Sequence, residues 1–402
     1  MQIWLGGIII VWLFVQVMLL FVYRHMLAAY WREPVLRYPI LVFESDDWGA
    51  GPLEQAQALD ALRQILKGHL DQSGHYPVMT LGVILSIADT ETMRAEKESE
   101  YSRISLDHAR FEPVLAALRA GINDGVFTPQ LHGMEHYWPP VVMAAAKTDA
   151  QVAAWLKTNG IAHSEELPPR LQSRWIDAAS LPSQPLPEAE IYAAVAEEVK
   201  VYMQIFGAKP EIAVPTTFVW SSVVERAWAT HGVSCVITPG TRYESRDGQG
   251  RPKGDGRVIL NGERGQGDVM YLVRDKYFEP KLGHRAEKGL DALALQAACG
   301  RPTLLETHRF NFLGDPAQSK AALAELNRLL VEARAHYSEL RFLSTQDIIE
   351  AIASQDTSLI ITAPRARVPA WLERISQVSR FWKLARLTGL VLPLWLLGKW
   401  AA

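Results

Sequence analysis

The chain has 402 residues, of which 49% are hydrophobic and 21% charged, with a formal net charge of -3. These proportions exclude a disordered chain and allow a sizeable buried core, and the absence of a long basic run in the central part argues against a nucleic-acid surface. Only two cysteines are present, Cys235 and Cys299, far apart and without metal-site spacing, so neither a disulfide framework nor a cysteine-ligated ion is expected.

Residues 3–23 are almost continuously apolar, with Gln16 the main polar interruption, and the run is long enough to span a bilayer. A cleaved leader would want a basic start, a shorter apolar core and a small-residue cleavage site, and none is evident. A single-pass membrane anchor with its juxtamembrane segment is therefore expected over 1–37. Arg24, Arg32 and Arg37 follow the run, and by the positive-inside rule they place the catalytic part on the cytoplasmic side.

From 38 to 356, short apolar runs alternate with longer helical ones, the pattern of an α/β protein with helices around a largely parallel sheet. Strands are predicted at 40–44, 78–86, 127–131, 211–214, 234–238, 269–273, 303–307 and 340–343. Helices are predicted at 53–66, 111–123, 188–206, 223–231, 290–298 and 317–336. That is about the number of units that closes a (β/α) barrel. Two stretches break the rhythm: the charged 88–108 and the proline- and serine-rich 161–187. Both read as insertions on the loop side, at least one of them shaping a substrate groove. The glycine-rich 246–267 reads as a β-hairpin or flexible excursion without phosphate-loop spacing.

Beyond 356, Trp371, Ile375, Val378, Trp382 and Ala385 share one helical face, while Arg374, Arg380, Lys383 and Arg386 lie elsewhere. An apolar run at 387–397 follows, interrupted by Gly389 and Pro393. A basic amphipathic helix suits an anionic membrane surface, so 357–402 is expected to be a membrane-associated tail.

The chemistry-bearing residues sit at the ends of predicted strands. Asp46 and Asp47 close the first apolar run, and His132-Gly133-Met134-Glu135-His136 follows the third. Alone, each pair is ordinary, a turn or two neighbours on a helix face. Strand ends, however, are where an α/β barrel collects its catalytic groups. One carboxylate and two imidazoles can hold a divalent ion, zinc being the expected one, with positions left for water and a substrate oxygen. A second carboxylate can then serve as general base. Adjacent aspartates on extended backbone point in different directions, so one can ligate while the other faces the water. His308, ending Leu304-Leu305-Glu306-Thr307-His308, is the candidate acid for the leaving amine. Trp48 and Trp138 are candidates for stacking on a sugar, and Arg274 and Arg309 for facing the pocket from later strand ends.

The order Asp-Asp, His-x-x-x-His, a proline-bearing strand end at Val214-Pro215 and a late Leu305-x-x-His308 resembles the polysaccharide deacetylase superfamily, or carbohydrate esterase family 4, over roughly residues 39–350. The resemblance implies an irregular (β/α) barrel and metal-dependent removal of an acetyl group from an N-acetylated sugar. It implies Asp46 as catalytic base, Asp47, His132 and His136 as metal ligands, and His308 as catalytic acid. The chain departs from the family at two places. The usual Thr-Phe-Asp-Asp-Gly opening reads Glu44-Ser45-Asp46-Asp47-Trp48-Gly49. The third motif reads Ala213-Val214-Pro215-Thr216-Thr217, without the arginine that orients the base. Either Arg274 or Arg309 would have to reach that place from another strand.

The expected fold is thus α/β, a deacetylase-type irregular barrel with an N-terminal transmembrane helix and a C-terminal amphipathic helix. The expected activity is deacetylation of a sugar in an envelope polysaccharide or a lipid-linked precursor, with membrane lipids as a second partner and no nucleic acid. The alternatives are a glycoside hydrolase pairing Asp46 with Glu135 or Glu306, another metal-dependent hydrolase on a related barrel, and a non-catalytic sugar-binding component of a membrane synthesis complex.

Overall fold

The computed structural model describes residues 2–98 and 100–401, and the side chains of residues 2–5, where the expected span begins, lie outside the described residues. The sheet is built on β1 (Ile40–Gly49), every residue of which is buried. Its opening Ile-Leu-Val-Phe run is what a strand covered on both faces requires. The strand runs on through both aspartates rather than stopping at Glu44 as the apolar run suggested.

Eight further strands complete the sheet: β2 (Met79–Ile84), β3 (Phe127–Leu131), β4 (Ile212–Ala213), β5 (Cys235–Thr238), β6 (Met270–Val273), β7 (Lys276–Tyr277), β8 (Thr303–His308) and β9 (Arg341–Phe342). Their order is β6-β5-β4-β3-β2-β1-β8-β7, with β9 also paired to β1, and every pairing in the sheet is parallel. The two edge strands β6 and β7 are consecutive in the chain, separated only by Arg274 and Asp275. The sheet therefore curls round until its edges meet, giving an eight-strand (β/α) barrel with an open seam and a ninth strand outside the ring. The two-residue β7 is the strand the sequence pattern missed.

Helices α3 (Gln55–Lys67), α4 (Glu112–Asn123), α5 (Glu188–Phe206), α6 (Ser222–Thr230), α7 (Ala286–Ala298) and α8 (Pro316–His336) alternate with the strands. Each turns an apolar stripe inward; in α3 it is Ala58, Leu59, Leu62 and Leu66, at the spacing of one helical face. A second apolar cluster fills the lumen, where Ile40, Val42, Ile237, Leu272 and Leu304 meet Ile348, Ile349 and Ile352 of α9 (Thr345–Ser354). Helix α9 therefore plugs the N-terminal end of the barrel, held at its own start by the reciprocal Ser344–Asp347 capping box.

The insertions form short antiparallel pairs, Ser86–Ala88 with Arg103–Ser105 and Ile176–Asp177 with Gln184–Pro185. The glycine-rich excursion is a hairpin, Tyr243–Arg246 with Pro252–Gly254.

At the chain ends lie α1 (Gln2–Val22), α2 (Arg24–Arg32), α10 (Pro364–Ser376), α11 (Ser379–Thr388) and α12 (Val391–Ala401), whose buried contacts include Leu19, Ile375, Phe381 and Leu394. Among the described residues, no single helix is long and apolar enough to cross a membrane. Two bent pairs reach that when taken together: Gly6–Val22 with Arg24–Arg32 at 61°, and Ser379–Thr388 with Val391–Ala401 at 103°. The expected single-pass helix is thus one arm of a bent pair, because the helix breaks at Tyr23.

Candidate metal and catalytic centre

Parallel register sets the site. Asp46 on β1 stands opposite His308 on β8, at the C-terminal ends of both strands. Between Ser45 and Trp48 the register against β2 slips, so three steps on β1 face two on β2, and Asp47 sits at φ 73°. A bulge with a left-handed non-glycine residue is costly backbone, retained where it aims a side chain. Here it cancels the alternation expected of adjacent extended residues, and both aspartates turn into the barrel mouth.

Asp47 meets the two imidazoles. Its Oδ1 lies 3.5 Å from His132 Nε2 and 3.4 Å from His136 Nε2. Two ligands bound tetrahedrally at about 2.0–2.1 Å to one zinc would be roughly 3.3–3.4 Å apart. Oδ1 is buried and has no hydrogen-bond partner. His132 Nδ1–H donates to the Val214 carbonyl oxygen at 2.8 Å, which fixes the tautomer and leaves the Nε2 lone pair free for a metal. The residues present therefore fit a divalent ion. Burial lowers the pKa of His136, which favours the neutral ligand form. Burial acts the same way on His132, yet Asp46 and Asp47 outweigh it and raise the pKa, a proton that a cation in the same place would displace.

Asp46 faces a different environment. Arg274, at the seam after β6, donates Nη2 to Asp46 Oδ2 at 2.5 Å and Nη1 to Oδ1 at 3.1 Å. Its Nη1 also reaches Glu44 Oε2 at 3.4 Å, and its Nε lies 3.4 Å from Glu306 Oε2. Burial would raise the Asp46 carboxyl, but the guanidinium beside it holds the group below its usual range. Glu306 lacks such a bidentate partner, and burial pushes it up to about 7 despite Arg274. Asp46, Glu306 and His308 could also gather around a cation, their donor atoms lying within 4.8 Å of one another. Arg274 already supplies the positive charge on that side, so the Asp47 triad is the better ion site.

His308 Nδ1 pairs with Glu279 Oε1 at 2.6 Å, and Asn311 donates to the other oxygen of Glu279. Burial would lower this imidazole, but Glu279, Asp47 and Asp46 raise it to about 10. Glu279 was not singled out in the sequence, although Glu279-Pro280 closes the polar segment that starts at Arg274.

The expected substrate contacts change most. Trp48 is fully buried, its Nε1 donating to Ser45 Oγ at 2.8 Å and its ring stacked on Phe312, so it is core and offers no face to a sugar. Arg274 is likewise fully buried and positions Asp46 rather than meeting substrate. Arg309, 4% exposed, donates to the Asp47 carbonyl oxygen and pairs with Glu165 at 2.7 Å, pinning the 161–187 insertion beside the site. Trp138, 7% exposed, borders a cavity of about 740 Å³ with Tyr101, Arg103 and Arg174, which none of Asp46, Asp47, His132, His136 and His308 lines. Glu135 is buried against Arg174 and Arg103 at 2.8 Å each, turned away from the histidines that flank it.

No protein-family model matches the chain, and no curated protein matches it. Among solved structures, a proposed polysaccharide deacetylase from Mycobacterium smegmatis is 11% identical at a TM-score of 0.41, over 81% of this chain and 93% of that one. The peptidoglycan deacetylase PdaC from Bacillus subtilis is 11% identical at 0.35, over 82% and 96%. A 4-alpha-glucanotransferase from Thermococcus litoralis is 10% identical at 0.41, and this chain spans only 40% of its length.

Proposed function

We propose that the protein is a metal-dependent hydrolase that removes the acetyl group from an N-acetylated sugar of an envelope polysaccharide or a lipid-linked precursor. The observation that carries this reading is the division of labour between neighbouring aspartates. Asp47 meets two imidazoles, while Asp46 is clamped by Arg274 and kept off the ion. A divalent ion on Asp47, His132 and His136 would polarise the amide carbonyl and acidify a water.

Asp46, ionised throughout the neutral range, is placed to take the proton of the attacking water. His308 stands across from it with Glu279 fixing its ring, so its Nε2 is the atom that can give a proton to the leaving nitrogen. Attack of the water oxygen forms a bond to the carbonyl carbon, and collapse of the tetrahedral adduct breaks the carbon–nitrogen bond as His308 protonates the nitrogen, leaving acetate and a free amine.

A glycosidase mechanism is disfavoured. Glu135 is spent on Arg174 and Arg103 outside the mouth, and Glu306 shares the Arg274 guanidinium with Asp46, leaving no gap between the two for a glycosidic bond. The test is acetate release from N-acetylated oligosaccharides by the purified protein in detergent, with and without chelator and added zinc. Chelator-sensitive acetate is expected. Bound metal with no acetate would sink the reading.

A further inference from the structure

We propose that the two ends of the chain form one bilayer-embedded unit at the N-terminal end of the barrel strands, turning the catalytic mouth away from the lipid and toward glycan chains rather than a lipid-linked sugar. The substrate clause rests on the deacetylase reading; the membrane clause does not.

Ile8, Ile9, Ile10 and Val11 are consecutive in α1 and are 68%, 51%, 68% and 63% exposed. With 3.6 residues per turn, four in a row look out on every side of a helix. A protein groove covers one face. Only a medium that surrounds the helix removes all four from water, and that medium is a bilayer. Gln16, the polar residue in the run, is turned inward: its Nε2 donates to the Thr388 carbonyl oxygen at 2.8 Å, as does Trp12 Nε1. Thr388 ends α11, so the C-terminal pair lies against α1. That pair in turn exposes Leu387, Leu392, Trp395, Leu396 and Trp400.

Charge favours the same occupant. Residues 1–37 and 357–402 carry ten lysines and arginines against two acidic residues, whereas the rest of the chain carries 31 against 42. Arg380, Lys383 and Arg386 recur every third residue on α11 and are all exposed. Such a belt suits anionic headgroups, which repel the acidic barrel.

The unit is fastened to one end of the barrel. Arg374 of α10 donates to the carbonyl oxygens of Cys299, Gly300 and Pro34. Arg301 pairs with Glu33 at 2.8 Å. These residues lie just before β8 and β1, at their N-terminal ends. Asp46 and His308 lie at the opposite ends of those parallel strands, about 15–20 Å further on at the usual rise of 3.3 Å per residue.

The test uses the full chain reconstituted into phosphatidylcholine vesicles containing phosphatidylglycerol. It is expected to float with the vesicles and to stay bound through a high-salt wash. A chain left in the soluble fraction, or one that only self-associates, overturns the membrane clause. For orientation, single labels at Ser379→Cys and Tyr277→Cys are compared by energy transfer to acceptors on lipid headgroups, since both native cysteines are buried. Transfer is expected to be strong from position 379 and weaker from 277; equal or reversed transfer overturns the orientation. Acetate release from a free N-acetylated oligosaccharide should exceed that from the same sugar on a lipid in these vesicles, and the opposite preference overturns the substrate clause. Absence of acetate from both would remove the substrate clause together with the deacetylase reading, leaving the flotation and transfer results to stand on their own.

Discussion

Arg274 grips both carboxylate oxygens of Asp46, at 2.5 and 3.1 Å, from a seam where two sheet edges meet without pairing. Of the two arginines that the sequence offered in the absence of one beside Pro215, it is Arg274 that reaches Asp46, from the end of β6, two strands along the sheet from β4. A lysine there would keep the charge but could not bridge two oxygens. Arg274→Lys is expected to bind a divalent ion as the parent does and to lower kcat on the order of 10²-fold through misplacement of the base. Because the guanidinium holds the Asp46 pKa down, activity is present above that pKa and lost as pH falls through it, so the acid limb of the rate profile should move upward. Arg274→Met is less informative, since it leaves Glu44, Asp46 and Glu306 buried without their cation, a loss of about 3–5 kcal/mol. An unchanged acid limb in Arg274→Lys would remove the positioning role.

The two aspartates should separate cleanly by metal content. Asp47→Asn and His132→Ala each delete a donor from the triad and are expected to retain less divalent ion, measured by elemental analysis after loading and dialysis. Asp46→Asn leaves all three donors in place and should retain the ion while turnover falls. Loss of the ion in Asp46→Asn would mean that the two carboxylates share it.

Most of the barrel was legible in the sequence because strands buried on both faces are written as apolar runs, as in Ile40-Leu41-Val42-Phe43 of β1; β3, Phe-Thr-Pro-Gln-Leu and half-buried at Thr128 and Pro129, is less apolar yet has the bounds predicted for it. The site was legible as a set of residue types, less so as geometry. Trp48 read as a surface ring beside a motif, but the bulge at Asp47 turns it into the core against Phe312. A bulge leaves no mark on hydrophobic periodicity. Arg274 was read both as a pocket residue and, with Arg309, as a replacement for the orienting arginine; the sequence could not choose between the two, since Asp46 lies 228 residues from Arg274 and only ring closure brings them together. Glu279 went unremarked for the same reason: its chemistry depends on β7, two residues long and too short to carry a pattern.

Glu279 should govern the alkaline side. His308 is raised to about 10 by Glu279 and the two aspartates against the opposing effect of burial. A histidine raised above its unfolded value contributes stability below that value, near 6.5, and loses it as pH rises through the folded one. In the metal-free protein, NMR titration of the imidazole should therefore show a midpoint far above 6.5, and zinc on Asp47 should lower it by cancelling one of the attracting charges. Glu279→Gln is expected to lower the midpoint further and to shift the alkaline limb of kcat downward. A His308 midpoint indifferent to Glu279→Gln would break the proposed acid assembly.

Gly82 offers a test that touches neither ion nor proton. It lies on β2 directly beside Asp46, and a Cβ placed on it would overlap Asp46 Oδ1 well inside van der Waals contact. The carboxylate cannot swing aside, because Arg274 holds both of its oxygens. Gly82→Ala must instead push β1 and β2 apart or break the bidentate clamp. Overpacking of this kind costs about 1–3 kcal/mol, which a lowered Tm would register. The three atoms nearest that Cβ all belong to Asp46 and none to Asp47, His132 or His136, so the content of divalent ion should hold. Turnover, in contrast, should fall, and the acid limb should rise as the Asp46–Arg274 geometry loosens. Gly82→Ala with wild-type kcat and an unshifted acid limb would show that the base tolerates displacement, which is incompatible with Asp46 acting from the position it holds here.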